Sequence, residues 1–193
     1  LSRGLGDVYK RQLLLHASGA HRLMEGKIRI AGTVGESIVD GPGFRYTLFV
    51  QGCPHGCPGC HNPQTHDFGG GHIAQTDDVI AHLGQNPLVR GLTLSGGEPM
   101  MQPEPLYLIA KAAKEKGMNV WCYTGFTLEN LLKENRADRM KLLSVLDVLV
   151  DGPFLSHERS LDLLYCGSKN QRLIDVPATL AAGEIRLYVP PEW

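Results

Sequence analysis

Strand-like and helix-like segments alternate along most of the chain, and this alternation limits the folds that are open to it. Short runs of β-branched and apolar residues predict strands, and the amphipathic stretches between them predict helices. The predicted strands are 46–50, 92–94, 120–123, 148–151, 172–174 and 185–189. The predicted helices are 76–83, beginning at Thr76 as its N-cap, 103–116, 127–133 and 138–146. Strand, loop and helix in repeated order favour an α/β fold with a mostly parallel sheet and right-handed crossovers.

The first 23 residues stand apart from this pattern. Residues 1–12 lack the long apolar core and the cleavage site of a signal peptide, and they resemble translated adapter sequence. The first methionine is Met24. We therefore expect 1–23 to be a non-native or disordered N-terminal extension, and 24–193 to form a single domain.

Composition argues against several classes of protein. A hydrophobic share of 42%, together with 23 glycines, argues against intrinsic disorder. The chain carries 19 basic and 20 acidic residues, so we expect neither nucleic acid nor an anionic membrane as a partner. No apolar run approaches the roughly 18 residues that span a bilayer. Five cysteines, an odd number, without a recognisable export signal favour the reducing cytoplasm.

Three of the cysteines lie close together. Cys53, Cys57 and Cys60 form a C-x3-C-x2-C pattern in a loop rich in glycine and proline, which indicates a metal site. A structural zinc ion would need a fourth ligand. For that ligand the neighbourhood offers three histidines, His55, His61 and His66. An iron–sulfur cluster normally takes four cysteines, so three would leave one iron open to the amino and carboxylate groups of a substrate.

A second motif, Ser95-Gly96-Gly97-Glu98-Pro99, follows the next predicted strand of the sheet. Glycines at the carboxyl end of a strand allow a small ligand to approach the main chain, and active sites of βα barrels lie at that end. An isolated SGGEP is a weak signal. When SGGEP follows the cysteine loop by one βα unit, it is a strong signal. This combination favours an iron–sulfur cluster over a zinc ion at the cysteines.

With these motifs together, the sequence resembles the radical S-adenosylmethionine superfamily and, within it, the enzymes that activate glycyl-radical enzymes. The resemblance runs from about Lys27 to about Ala182. Its motifs are DGPGFR at 40–45, CPHGCPGCHNPQTH at 53–66, SGGEP at 95–99, YTGF at 123–126, DVLVDG at 147–152 and GSKNQR at 167–172.

The resemblance implies an incomplete βα barrel in which three cysteines, Cys53, Cys57 and Cys60, ligate a [4Fe–4S] cluster. S-adenosylmethionine would bind the open iron. Its contacts would come from Gly59, Cys60 and His61 on the adenosyl side, and from Gly96, Gly97 and Glu98, with Glu98 at the edge of its loop. Asp151 is expected either to reach the ribose or methionyl part of the cofactor or to serve as a turn residue before Gly152.

The implied function is that of an oxidoreductase that cleaves S-adenosylmethionine reductively and generates a glycyl radical on a partner. The resemblance gives that partner as the large glycyl-radical subunit of an anaerobic ribonucleoside-triphosphate reductase. It also implies a one-electron donor such as reduced flavodoxin or ferredoxin. Two alternatives remain open at this point: activation of pyruvate formate-lyase, and a non-catalytic zinc-stabilised binding module.

Several other residues are interpreted as structural. Cys122 and Cys166 are expected to be small packed residues, Trp121 a core residue and Arg45 an ion-pair residue of the fold. Arg172 is expected to be solvated or to face the partner.

Overall fold

Strands and helices alternate through residues 26–190, which are the residues that the computed structural model describes; the predicted extension over 1–23 lies outside them. The strands are β1 (Lys27–Ser37), β2 (Arg45–Val50), β3 (His72–Gln75), β4 (Gly91–Gly96), β5 (Asn119–Tyr123), β6 (Val148–Asp151) and β7 (Arg172–Asp175). The helices are α1 (Thr76–His82), α2 (Pro103–Glu115), α3 (Leu128–Glu134), α4 (Ala137–Leu143) and α5 (Val176–Ala182). Short 3-10 turns lie at Pro63–Thr65, Pro99–Met101 and Ser156–Glu158.

All seven strands belong to one sheet, in the order β3-β1-β2-β4-β5-β6-β7. The central strands β2, β4, β5 and β6 are parallel, as the sequence predicts. The flanking strands β1, β3 and β7 pair antiparallel, which the sequence analysis did not predict. The reason lies in the connections, because β1–β2 and β6–β7 are joined without a crossover helix and parallel pairing needs one. The sheet is open, with β3 and β7 at its edges.

The main hydrophobic core lies between one face of this sheet and the helices. Helix α2 buries Leu106, Ile109, Ala110 and Ala113, whose helical spacing places them on one face of the predicted helix 103–116. Alternate residues of β5 face opposite sides, so Cys122 belongs to this core, as expected. A smaller cluster around Trp121, Val148 and Val150 occupies the other face. Within residues 26–190, no helix has the length and apolar character needed to cross a membrane.

Other predicted boundaries are corrected by the structure. Residues 185–189 form no strand and contribute only an isolated bridge between Leu187 and Ile174. Strands β1 and β3 and helix α5 are not among the predicted elements. Strand β3 is a mostly exposed segment of four residues that pairs along β1. Thr76 is the first residue of α1 rather than its N-cap, and its hydroxyl donates to the carbonyl of Gly26 at 3.1 Å. Helix α4 ends at Leu143, earlier than expected.

Arg45, at the start of β2, is fully buried and holds the amino ends of three strands together. Its Nε donates to Thr93 Oγ1 at 2.6 Å, Nη1 to Asn119 Oδ1 at 2.6 Å and Nη2 to the Leu92 carbonyl at 2.8 Å. The guanidinium lies 5.3 Å from the centre of the Trp121 ring. Burial lowers the pKa of Arg45 to about 10, which keeps the group charged at neutral pH. The structural role expected of Arg45 is thus confirmed, but its partners are neutral acceptors and not the expected ion-pair partner.

We predict that Arg45→Ala lowers the free energy of unfolding by about 2–4 kcal/mol, because it leaves a cavity and several buried acceptors without donors. Urea unfolding of the full chain measures this. Arg90→Ala is the control, since Arg90 is an exposed neighbour and its loss should cost less than about 0.5 kcal/mol. A wild-type urea midpoint for Arg45→Ala would contradict the role given to Arg45.

Candidate active site

Four loops meet where the central strands have their carboxyl ends, because these strands are parallel. This side of the sheet, which differs from the outer strands β3 and β7, is called the sheet edge below. The cysteine loop follows β2, and the SGGEP motif begins in the last two residues of β4 and continues beyond it. Thr124-Gly125-Phe126 follows β5, and Gly152-Pro153-Phe154 follows β6. Ligand sites of parallel α/β sheets lie at the carboxyl ends of the strands. Motifs that are separate in the sequence are therefore neighbours in the fold.

The cysteine loop is closed at its base by main-chain hydrogen bonds. Gly52 N donates to Thr65 O at 2.8 Å, and Cys53 N donates to His66 O at 3.1 Å. The three cysteines between these points, Cys53, Cys57 and Cys60, are half-buried free thiols. The 3-10 turn at Pro63–Thr65 thus returns the chain to the end of β2 and leaves the thiols in a short loop.

Two of the three sulfurs already accept main-chain hydrogen bonds. Asn62 N donates to Cys60 Sγ at 3.4 Å, and the main-chain N–H groups of His55 and Gly56 donate to the sulfur of Cys53. Burial nevertheless raises the pKa of Cys53 to about 11, above its ordinary value. Donors around cysteine sulfurs stabilise thiolate ligands and tune iron–sulfur clusters, so this donor set fits a cluster.

The geometry of the cysteine loop fits a single metal ion less well than it fits a cluster. Within the described part of the chain, no three His, Cys, Asp or Glu side chains gather as the ligands of one ion would. Zinc holds its ligands on one atom, with each sulfur about 2.3 Å away, whereas a four-iron cluster takes each thiolate on a different iron. The cluster ligand set of three cysteines stays a prediction.

The SGGEP loop packs directly against the base of the cysteine loop, and its glycines make this possible. Gly96 has φ +98°, and a Cβ there would lie 2.6 Å from Val50 N. A Cβ on Gly97 would lie 2.5 Å from Gly52 O and 3.0 Å from Thr65 O. The sequence resemblance predicts that these glycines let the cofactor approach the main chain. The structure shows that the protein's own main chain also requires them.

Glu98 is buried, with only 1% of its surface exposed, and does not lie at the edge of its loop as the sequence analysis expected. Its Oε1 accepts from Met100 N at 2.9 Å and from Thr124 Oγ1 at 2.8 Å. Its Oε2 accepts from Gly125 N at 2.8 Å and from His55 Nε2 at 2.7 Å. A single carboxylate therefore joins the cysteine loop, the SGGEP loop and the loop after β5.

A stacked column of side chains, which the sequence analysis missed, supports His55. The rings of His55 and Phe126 meet edge to face with centroids 4.6 Å apart, and the Arg139 guanidinium lies 4.6 Å from the Phe126 centroid. Arg139 is buried on α4, and its Nε donates to Met100 O at 2.9 Å. The sequence does contain a signal that Arg139 is buried. Arg139 lies three residues before Leu142 and four before Leu143, which places it on the same apolar face of the helix.

The residues predicted for the adenosyl side lie together on the exposed part of the cysteine loop. The ring of His61 is 5.1 Å from that of Phe154, in the loop after β6. A Cβ on Gly59 would lie 3.6 Å from the same phenylalanine, and one on Gly167 would lie 3.0 Å from it. Cys60 lies between Gly59 and His61 in the chain. Phe154 was missed because it lies in an irregular segment with no periodic pattern.

Asp151 is also buried, and protein donors surround it. Its carboxylate accepts from Leu128 N at 2.8 Å and from Arg172 Nε at 3.0 Å. Arg172 Nη1 donates to Glu129 Oε1 at 2.9 Å and thereby lowers the pKa of Glu129 to about 2. The same two carboxylates raise the pKa of Arg172. Arg172 is therefore not simply solvated, and its predicted contact with the partner stays a prediction. The bonds of the Asp151 carboxylate fit a structural role, although Asp151 ends β6 rather than serving as a turn residue.

The chain is similar to known proteins over most of its length. Residues 39–174 match the family described as 4Fe-4S single cluster domain. The anaerobic ribonucleoside-triphosphate reductase-activating protein of Escherichia coli K12 is 38% identical over 142 residues, covering 69% of this chain and 90% of the relative. The proteins of the same name from Vibrio cholerae and Enterobacteria phage T4 are 39% and 33% identical, over 89% and 86% of their lengths.

We predict that Gly97→Ala lowers both stability and cluster uptake, because the added Cβ meets main-chain atoms at the base of the cysteine loop and these cannot rotate away. Urea unfolding and iron and sulfide analysis after anaerobic reconstitution measure the two effects. Gly35→Ala is the matched control, since a Cβ on Gly35 meets nothing within 4 Å. Normal iron content and stability in Gly97→Ala would show that this close approach is not required.

Proposed function

Because the chain belongs to the family of anaerobic ribonucleoside-triphosphate reductase-activating proteins, we propose that it generates a glycyl radical on the large subunit of such a reductase. The observation that carries the proposal is the meeting of the cysteine loop and the SGGEP loop at one sheet edge, joined by a buried carboxylate. The electron would come from a one-electron donor such as reduced flavodoxin or ferredoxin.

Cys53, Cys57 and Cys60 would hold a [4Fe–4S] cluster, with the N–H donors at Cys53 and Cys60 supporting their sulfurs. When bound, such a cluster would supply the single electron for reductive cleavage of the C5′–S bond of S-adenosylmethionine, with methionine as one product and the adenosyl fragment as the group that would take the Cα hydrogen of a partner glycine. This chemistry needs no side-chain general base or nucleophile from the protein. Its part is to position the reactants and exclude water.

The SGGEP loop is suited to an ammonium group. Gly97 N donates to Val50 O at 2.8 Å and Glu98 N donates to Gly52 O at 2.9 Å, which fixes the peptide planes of the loop. Main-chain carbonyl oxygens of Gly96 and Gly97 would then meet the substrate ammonium. Glu98 would not contact the ammonium group, since protein donors occupy its oxygens. Its role would be to hold the surrounding loops in position.

The adenosyl group would lie on the side of Gly59, Cys60 and His61. The neighbouring rings of His61 and Phe154 offer an aromatic surface to adenine there. Asp151 would not contact the cofactor itself. It would support the site by holding Arg172 and the start of α3 in place.

The open sheet offers a route by which the target glycine of the partner could enter the site. An incomplete barrel of the radical S-adenosylmethionine type has an open side, and a reactive radical requires its target to enter the site rather than wait in solution. We propose that a flexible loop of the reductase carries the glycine into this side. The names of the relatives favour the reductase over pyruvate formate-lyase, and the 4Fe-4S family match disfavours the zinc module.

For the cluster we predict about four irons and four sulfides per chain after anaerobic reconstitution. Cys53→Ala, Cys57→Ala and Cys60→Ala should each abolish a stable four-iron cluster, because each removes one of three ligands. Cys166→Ala is the matched control, as Cys166 is also half-buried and free. Zinc without sulfide in the wild type, or loss of the cluster in Cys166→Ala, would contradict the assignment.

For the reaction we predict equal amounts of 5′-deoxyadenosine and methionine when the loaded protein meets S-adenosylmethionine and a strong one-electron reductant. With the reductase present, electron paramagnetic resonance should show a glycyl radical. Replacing the partner's radical glycine by alanine should remove that signal while slow cleavage continues. A radical on pyruvate formate-lyase and none on the reductase would reassign the partner.

A further inference from the structure

His55 lies between two of the candidate ligands in sequence, yet its side chain turns away from solvent toward Glu98. Only 17% of the side chain is exposed, and Nε2 donates to Glu98 Oε2 at 2.7 Å. This bond links the side of the loop that carries Cys53 and Cys57 to the SGGEP loop. The main-chain bonds described above hold only the base of the cysteine loop.

The surrounding residues are shaped to keep the His55 ring in place. A Cβ on Gly125 would collide with that ring, so only glycine leaves room for it. Phe126 contacts the ring edge to face, and Arg139 packs over Phe126 in turn. Three elements, the loop after β5, helix α4 and the SGGEP loop, thus determine the position of one side chain in the cysteine loop.

Charge gives the contact a second consequence. Glu98 is a buried carboxylate, and its hydrogen bond to His55 places its negative charge next to the cysteine loop. The same charge opposes the addition of an electron to a group held by Cys53. The N–H of His55 withdraws charge from Oε2 and moderates this effect.

We propose that His55 is a positioning residue that ties the cysteine loop to the buried Glu98 carboxylate and thereby moderates the influence of that carboxylate on the reduction potential of the bound cluster. The part concerning potential rests on the proposed function. The proposal that His55 holds the cysteine loop in place does not depend on the cluster, so it is tested in the metal-free protein.

Three variants separate the hydrogen bond, the ring and the charge. His55→Gln keeps an N–H donor at a similar reach, His55→Phe keeps the ring but removes the donor, and Glu98→Gln removes the charge. The readout is the midpoint potential of the reconstituted protein without S-adenosylmethionine, from a redox titration followed by electron paramagnetic resonance. We expect a lower potential in His55→Phe, a higher one in Glu98→Gln and a value near the wild type in His55→Gln. His82→Phe, on the exposed end of α1, is the control.

The loop itself is tested in the metal-free protein by the rate at which Cys53 is alkylated, followed by mass spectrometry. Loss of a hydrogen bond to a charged group should raise this rate about tenfold in His55→Phe. His55→Gln and the control should label at the wild-type rate. This measurement stands even when a variant fails to take up iron.

Equal labelling rates in His55→Phe and the wild type would overturn the positioning role. Potentials that shift in the same direction in His55→Phe and Glu98→Gln would overturn the electrostatic role, since a purely structural disturbance has no reason to change sign. Failure of the wild type to form a four-iron cluster would refute the proposed function, and the alkylation rates would still decide whether His55 ties the loop.

Discussion

The carboxylate of Glu98 accepts hydrogen bonds from four donors that belong to three different loops: Met100, Thr124, Gly125 and His55. A buried carboxylate that loses its donors costs several kcal/mol, because no water replaces them. Any movement of one loop away from the others would incur part of this cost. The arrangement of the sheet edge therefore depends on this group, and the glycines at 96, 97 and 125 are among the positions there where close approach leaves no room for a side chain.

The parallel centre of the sheet explains why one carboxylate can reach so many partners. Four strands end at the same edge, so loops distant in sequence start only one to three strand spacings apart. At the opposite ends of these strands, Arg45 performs a comparable task with neutral acceptors on β4 and β5. The cation and the carboxylate hold opposite ends of the same strands, which leaves the cysteine loop supported on a rigid base.

Local patterns in the sequence predicted the parts of the molecule that local physics determines. Helix α2, the central strands and the cysteine loop follow from periodicity and spacing, and the structure confirms the helix and the strands. The strand expected at 185–189 failed because Leu187 is largely exposed and makes only a bridge. The burial of Glu98, its bond to His55 and the approach of Phe154 to His61 depend on tertiary contacts between distant loops. Spacing along the chain carries no signal for them.

The central claim is that a glycine of the reductase gives up its Cα hydrogen at this sheet edge to a radical derived from S-adenosylmethionine. Reductase labelled with deuterium at the Cα of its glycines tests this most directly, by mass spectrometry of the 5′-deoxyadenosine formed during activation. The account predicts one deuterium in the 5′-deoxyadenosine for each glycyl radical that appears. A glycyl radical that forms while the 5′-deoxyadenosine stays unlabelled would contradict it.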